Sequence, residues 1–294
     1  NWIEFLIILS LKNNMNASYP MIISIDVEDW QQSTWDRSLP ITKVAFENTA
    51  RLLDILSEQN IKTTMFILGK FAEKYPEMVR RIDSYGHEIS CHGHNHNEIF
   101  NQTKKQFKND VYRSKSYLED LIGKLVLGYR APDFSITNDS LWALEILSEL
   151  GFKYDSSIFP INHPRYGIPD FNPNIHEIKL NNNGSIVEFP LTVYNIGNIR
   201  IPVSGGGYFR FIPLKIYKYI IKQILIKRPF IFYMHPYELN KNEFNDLDIQ
   251  IPFMTRLLQG YGRKKQYKKL ESLFNTYKVK TMKDVFLKIK ISSY

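Results

Sequence analysis

Three histidines fall within five positions of EISCHGHNHNEIF (residues 88–100): His92, His94 and His96, directly behind the single cysteine, Cys91. Imidazoles this close together can ligate a metal, act as bases, or simply enrich a polar loop, and the triplet alone leaves all three readings open. Carboxylates gather in MIISIDVEDW (21–30), which ends in Asp26, Glu28 and Asp29. Two His and one carboxylate would suit a catalytic zinc, since three protein ligands leave one position for water or substrate. A remaining carboxylate could then serve as a general base, kept ionised by a cation such as Arg130 in GYRAPDF (128–134). His235 in FYMHP (232–236) is a candidate proton donor, and Asp155 in YDSSIFP (154–160) a candidate partner to charge and orient it.

These groups gain force from where they fall. MIISIDV (21–27) reads as a buried strand ending in acids. A helix is expected from Thr42 to Gln59, where Val44, Leu52, Leu53, Ile55 and Leu56 recur near helical spacing, followed by a strand over 62–68. The alternation continues with a helix over 71–85, a strand over 87–91, a helix over 104–122 closed by Gly123, a strand over 126–130 and a helix over 138–150. A short strand is expected near 153–157, and another over 231–239, ending in His235. Repeated strand-helix-strand order predicts parallel pairing in a barrel or doubly wound sheet, where chemistry collects at the strands' C-terminal ends. Between these lies a stretch rich in Pro, Asn and Gly: HEIKLNNNGSIVEFPL (176–191) reads as a hairpin about its Asn-Gly, and SGGGYFR (204–210) as a tight turn or substrate-facing loop. No Lys followed by Ser or Thr comes after those glycines, which argues against a phosphate cradle.

At 294 residues and 34.7 kDa, with 44% hydrophobic and 14% aromatic residues, the chain is globular and neither disordered nor low-complexity. The net charge of +8 and pI of about 9.2 admit anionic partners, and much of the excess lies late, in GRKKQYKKLE (262–271) and KVKTMKDVFLKIK (278–290). Apolar residues interleave there at helical spacing, so a solvated helix face with a weak contact to an anionic membrane surface is expected, and no nucleic-acid motif accompanies it. One cysteine allows no intrachain disulfide. The run WIEFLIILSL (2–11) contains Glu4, lacks a basic leader and is too short to span a bilayer, so residues 1–20 are expected to lie outside the fold as an extension. Residues 21–294 are then expected to be one domain, placed in the cytoplasm.

Taken together, SIDVEDW, HGHNH, GYRAPDF, YDSSIFP and FYMHP occur in the order of the five motifs of the polysaccharide deacetylase family, the NodB-homology carbohydrate esterases, and the chain resembles most the branch found in exopolysaccharide gene clusters. The likeness runs from about Met21 to about Leu239, leaving a family-specific tail. It implies a distorted (β/α) barrel of fewer than eight strands and one divalent metal ion, usually Zn2+, held by a carboxylate and two histidines. Carried over, His92 and His96 become metal ligands and His94 a bystander. Asp26 becomes the base and Asp29 the third ligand, with Glu28 able to replace either. Arg130 would aim the base, His235 would protonate the leaving amine, and Asp155 would stabilise its charged form. The third and fourth motifs depart from the commonest pattern: Asp133 and Phe134 stand where many members have Tyr, and Phe159 lies near the position of a missing Trp. Phe134, Phe159 and Tyr208 are the expected substrate contacts. The implied activity is metal-dependent N-deacetylation of a surface polysaccharide or its lipid-linked precursor. The alternatives are hydrolysis of a small amide, as by the family's allantoinase-like relatives, and glycan binding without turnover.

Overall fold

The computed structural model describes residues 19–291; the expected extension over residues 1–20 lies mostly outside them. Strand β1 (Met21–Val27) is buried along its whole length, as an apolar run covered on both faces of a parallel sheet must be. Helix α1 (Lys43–Glu58) begins where Thr42 Oγ1 accepts the Ala45 N–H at 3.3 Å and buries Leu52, Leu53 and Leu56. Strand β2 (Thr64–Ile67) follows. The single helix expected over 71–85 is two, α2 (Gly69–Lys74) and α3 (Pro76–Ser84). Pro76 has no N–H to continue the first, and sits at the opening position of the second, where none is needed. Strand β3 (Glu88–Cys91) leads to α4 (Lys104–Ile122), which has a Thr103/Gln106 capping box and a left-handed Gly123 (φ 64°) at its end.

Strands β4 (Gly128–Tyr129) and β5 (Tyr154–Asp155) flank α5 (Ala143–Glu149), shorter than expected because residues 138–140 form a separate 3-10 turn. The hairpin forms as β6 (His176–Lys179) and β7 (Ser185–Glu188), antiparallel, with Asn183 at φ 60° in its turn. A second hairpin pairs β8 (Val193–Ile196) with β9 (Ile199–Pro202). The glycine stretch opens α6 (Gly206–Phe211). Gly205 is required there, because a Cβ would collide with the Tyr233 carbonyl where the two backbones bridge. Helix α7 (Leu214–Leu225) and strand β10 (Phe230–Met234) follow.

The main sheet runs β10-β1-β2-β3-β4-β5-β7-β6. All but β6 in this path pair in parallel, so its parallel part has seven strands and curls without closing, as the resemblance implied. The segment after Leu239 forms α8 (Glu243–Asp246), α9 (Phe253–Gly260), α10 (Arg263–Phe274), β11 (Val279–Lys280) and α11 (Met282–Ile291). Strand β11 pairs with the start of β1, which brings the sheet to nine strands and ties this late segment to the core.

Candidate active site

Strand β1 ends at Val27, and the chain turns sharply into a helical turn over Gln31–Trp35, so the residues between no longer alternate faces as a strand would. Glu28 therefore turns inward. Its Oε2 lies 2.7 Å from His96 Nε2 and 3.2 Å from His92 Nε2, while Ser33 Oγ donates to its Oε1 at 2.9 Å. His92 follows β3, and His96 reaches the same point through a loop containing left-handed Gly93 (φ 70°) and His96 itself (φ 62°). The three ligand atoms lie within 4.8 Å of one another and all three residues are buried.

The donor set fits a cation. The Arg130 carbonyl, an acceptor only, lies 2.9 Å from His92 Nδ1, so that nitrogen carries the proton of the neutral ring. Nε2 then presents a lone pair to the Glu28 carboxylate, an arrangement that a positive ion between them relieves. Burial works against ionisation of Glu28, yet charge on His96 and His235 outweighs it and holds the carboxyl well below its usual range. Glu28, not Asp29, is thus the carboxylate beside the two histidines. Asp29 Oδ1 accepts the Gln31 N–H at 2.9 Å and its Oδ2 accepts the Thr42 N–H, so it fastens the turn to the start of α1. His94 stays outside the group, as expected of a bystander. It is nonetheless buried, with its N–H donating to Asp110 Oδ2 at 2.7 Å and its ring 3.7 Å from Glu73.

Asp26, the last acid inside β1, pairs with Arg130 at 2.8 Å. The guanidinium is fully buried, and its remaining donors go to Ser24 Oγ and to the Ser156 carbonyl and hydroxyl at 2.8–2.9 Å, over the Phe66 ring at 4.2 Å. A buried charge held on every side in this way fixes the Asp26 carboxylate in one orientation.

His235 stands at the end of β10, its Nε2 3.5 Å from Glu28 Oε1 and its ring stacked on Tyr237. Its partner differs from the one expected. Asp155 binds the Ser157 N–H and hydroxyl at 2.9 and 2.7 Å and lies opposite Glu188 in the β5–β7 register. Ser157 Oγ in turn accepts the Ala131 N–H at 2.7 Å, so Asp155 braces the loop that carries Arg130. The imidazole Nδ1 meets Glu238 Oε1 instead, at 3.0 Å. Burial opposes charge on His235, but Glu28 and Glu238 raise it to about 9. Burial likewise opposes charge on Glu238, yet His235, Arg210 at 2.8 Å and Gln266 at 3.2 Å lower it to about 2. Glu238 was missed in the sequence. The available signal was its spacing three residues after His235 across Pro236, which opens a 3-10 turn at Pro236–Leu239.

The aromatic expectations divide. Phe159 is fully buried, 6.2 Å from Tyr166 in a stacked pair and 5.9 Å from Phe134, so it supports the neighbouring aromatics and offers no surface to a substrate. Phe134, held in left-handed backbone (φ 51°), packs edge-on against Tyr233 at 4.8 Å and is 8% exposed. Tyr208 in α6 is half-buried against the same cluster.

An open parallel α/β half-barrel with an acid–His–His group, a buried Asp–Arg pair and a His at adjoining strand ends agrees with the resemblance to the NodB-type carbohydrate esterases. Residues 33–154 match the polysaccharide deacetylase family, and residues 156–287 match a domain of unknown function, DUF3473. Over 100 residues the chain is 34% identical to a peptidoglycan-N-acetylglucosamine deacetylase of Bacillus cereus, covering 34% of this chain and 36% of that protein. Over 108 residues it is 33% identical to a peptidoglycan deacetylase of Helicobacter pylori, covering 37% and 36%. The chain thus spans little more than a third of the length of these curated relatives. Among solved structures, a Mycobacterium smegmatis protein assigned to the polysaccharide deacetylases superposes with a TM-score of 0.64 at 19% identity, over 95% of this chain and 96% of that one. A CE4 family pseudoenzyme from Bacillus anthracis superposes with a TM-score of 0.50 at 12% identity, over 92% and 66%. A fold shared with a pseudoenzyme leaves activity to be argued from the site.

Proposed function

We propose that the protein is a metal-dependent hydrolase that removes N-acetyl groups from an N-acetylated sugar in a surface polysaccharide or its lipid-linked precursor. The observation that carries this reading is the convergence of Glu28, His92 and His96, with a buried Asp26–Arg130 pair and a His235–Glu238 pair belonging to neighbouring strand ends. Two imidazoles and a carboxylate suit zinc. Bound there, a divalent ion would polarise the acetyl carbonyl and acidify a water molecule. Asp26 takes the proton from the attacking water, and Arg130, 2.8 Å away, holds that carboxylate aimed. His235 gives a proton to the amine nitrogen as the C–N bond breaks, releasing acetate and a free amino sugar. Glu238 holds the His235 ring through Nδ1, leaving Nε2 directed to the reacting side. A set that retains both base and acid favours turnover over mere glycan binding.

The test is acetate release from a panel of N-acetylated oligosaccharides, with and without a chelator, beside a cyclic amide. Chelator-sensitive acetate release is expected. Ring opening of the cyclic amide without acetate release from any glycan would move the enzyme to the allantoinase-like reading, and tight glycan binding without hydrolysis of either would make it a binding protein.

A further inference from the structure

A helix on a protein surface ordinarily turns its apolar stripe inward and its polar face to water. Helix α9 does the reverse. Phe253, Met254, Leu257 and Leu258 are 74%, 58%, 52% and 57% exposed, and the helix has no buried residue. Tyr261, just past its end, stacks at 4.9 Å on Phe211, and both are more than half exposed, as is Ile216 at the start of α7. The inner contacts of α9 are polar. Gln259 Oε1 accepts the Trp30 indole N–H at 2.6 Å, and Arg256 donates to the Ile251 carbonyl at 3.2 Å and to Asn245 Oδ1 at 3.0 Å. The helix is therefore fastened to the body through its polar side with its apolar side outward, and a contiguous apolar patch of this kind marks an interaction surface.

Charge selects the occupant. Residues 251–270 contain six Lys or Arg and no Asp or Glu, and Lys264, Lys265 and Lys268 are exposed on α10, directly after Tyr261. Exposed Lys215 lies beside Ile216 on α7. Apolar side chains set among lysines match an anionic bilayer surface, where the former enter the acyl boundary and the latter meet the headgroups. A second copy of this chain would bring the same cluster of cations against itself.

We infer that α9, with Phe211, Ile216 and Tyr261, docks the protein on a membrane of anionic lipids. The face adjoins the candidate active site: Trp30, which holds Gln259, follows Asp29 directly, and Arg263 at the start of α10 donates to the Tyr237 carbonyl at 2.7 Å, two residues from His235. Docking would hold the site at the lipid surface. The inference goes beyond the proposed hydrolysis and stands without it. No described helix is long and apolar enough to cross a membrane.

The test is sedimentation of the full chain with vesicles of phosphatidylcholine alone and of phosphatidylcholine with phosphatidylglycerol, at low salt and at about 1 M, where screening is nearly complete. Pelleting with the anionic vesicles, reduced by salt and weak with the neutral ones, is expected. Phe253→Ser/Leu257→Ser/Leu258→Ser should lower binding by about tenfold or more, because three apolar side chains no longer leave water. Lys264→Glu/Lys265→Glu/Lys268→Glu should lower low-salt binding comparably. All six positions are exposed, and unchanged circular dichroism shows that the fold is kept. Failure of the wild-type protein to pellet with anionic vesicles, or equal pelleting by the apolar triple variant, overturns the inference. So does a wild-type dimer in analytical ultracentrifugation that the apolar substitutions dissociate, since the face would then belong to a second copy.

Discussion

Exchanging the two neighbouring acids Glu28 and Asp29 separates metal binding from local folding. In Glu28→Gln, the buried oxygen 2.7 Å from His96 and 3.2 Å from His92 is no longer a carboxylate, and the group loses its only negative member. Affinity should fall by more than the roughly 10–100-fold that follows removal of even an outer hydrogen-bond partner of a ligand. Asp29→Asn acts elsewhere. Both of its oxygens accept backbone N–H groups, from Gln31 and from Thr42, and an amide can offer an oxygen to only one of them. The other N–H then faces an NH2 group, which costs about 1–3 kcal/mol. For a chain of this length that is a fall in melting temperature of about 2 °C per kcal/mol, so about 2–6 °C in all. The assays are metal content by mass spectrometry after dialysis and thermal denaturation followed by circular dichroism. Glu28→Gln should be nearly metal-free, and Asp29→Asn metal-replete but less stable. A metal-free Asp29→Asn beside a replete Glu28→Gln would refute the ligand set and restore Asp29 to it.

Further outcomes follow from the same contacts. Asp26→Asn should keep its metal and its fold and lose nearly all acetate release, because the base paired with Arg130 is gone; retained turnover would remove Asp26 from the chemistry. His235→Ala should keep its metal and lose turnover by roughly a hundredfold or more. Glu238→Gln should fall between it and the wild type, and nitrogen NMR of the His235 ring should show its orientation and tautomer disturbed in Glu238→Gln but not in Asp155→Asn. His87 supplies a pH dependence of stability. Burial, with Lys62 adding to it, lowers this imidazole to about 4 from 6.5, so the unfolded chain binds the extra proton between those values. Stability from this group is full above about pH 6.5, declines as the pH falls towards 4, and amounts to about 3 kcal/mol in all. His87→Phe should flatten that part of the urea midpoint's pH profile, and an unaltered profile would rule His87 out as its source.

The sequence discloses what depends on local periodicity and withholds what depends on register. Strand β1 and helix α4 are legible because an apolar run, a Thr cap and a terminal Gly each act within a few residues. His92 and His96 are legible for the same reason, both belonging to one short loop after β3. The carboxylate beside them is not, since strand alternation puts Asp26 and Glu28 on one face only while the strand lasts, and β1 ends at Val27. Beyond that point the hydrogen bonds of the turn decide. Asp29 satisfies two backbone donors that would otherwise go unpaired, which leaves Glu28 free to meet the histidines. The partner of His235 is hidden one level further up. Asp155 lies opposite Glu188 only because β5 pairs with β7, a strand of the later hairpin whose register against β5 no local pattern announces. Burial raises both carboxyls there, most strongly Glu188, where the neighbouring Asp155 adds to it. His235 is left to Glu238, three residues away on its own turn and held from the far side by Arg210 of α6 and Gln266 of α10. The late segment of the chain is therefore tied to the candidate site as well as to the sheet, because without α10 Glu238, which meets His235 Nδ1, would lose the Gln266 amide that helps to hold it.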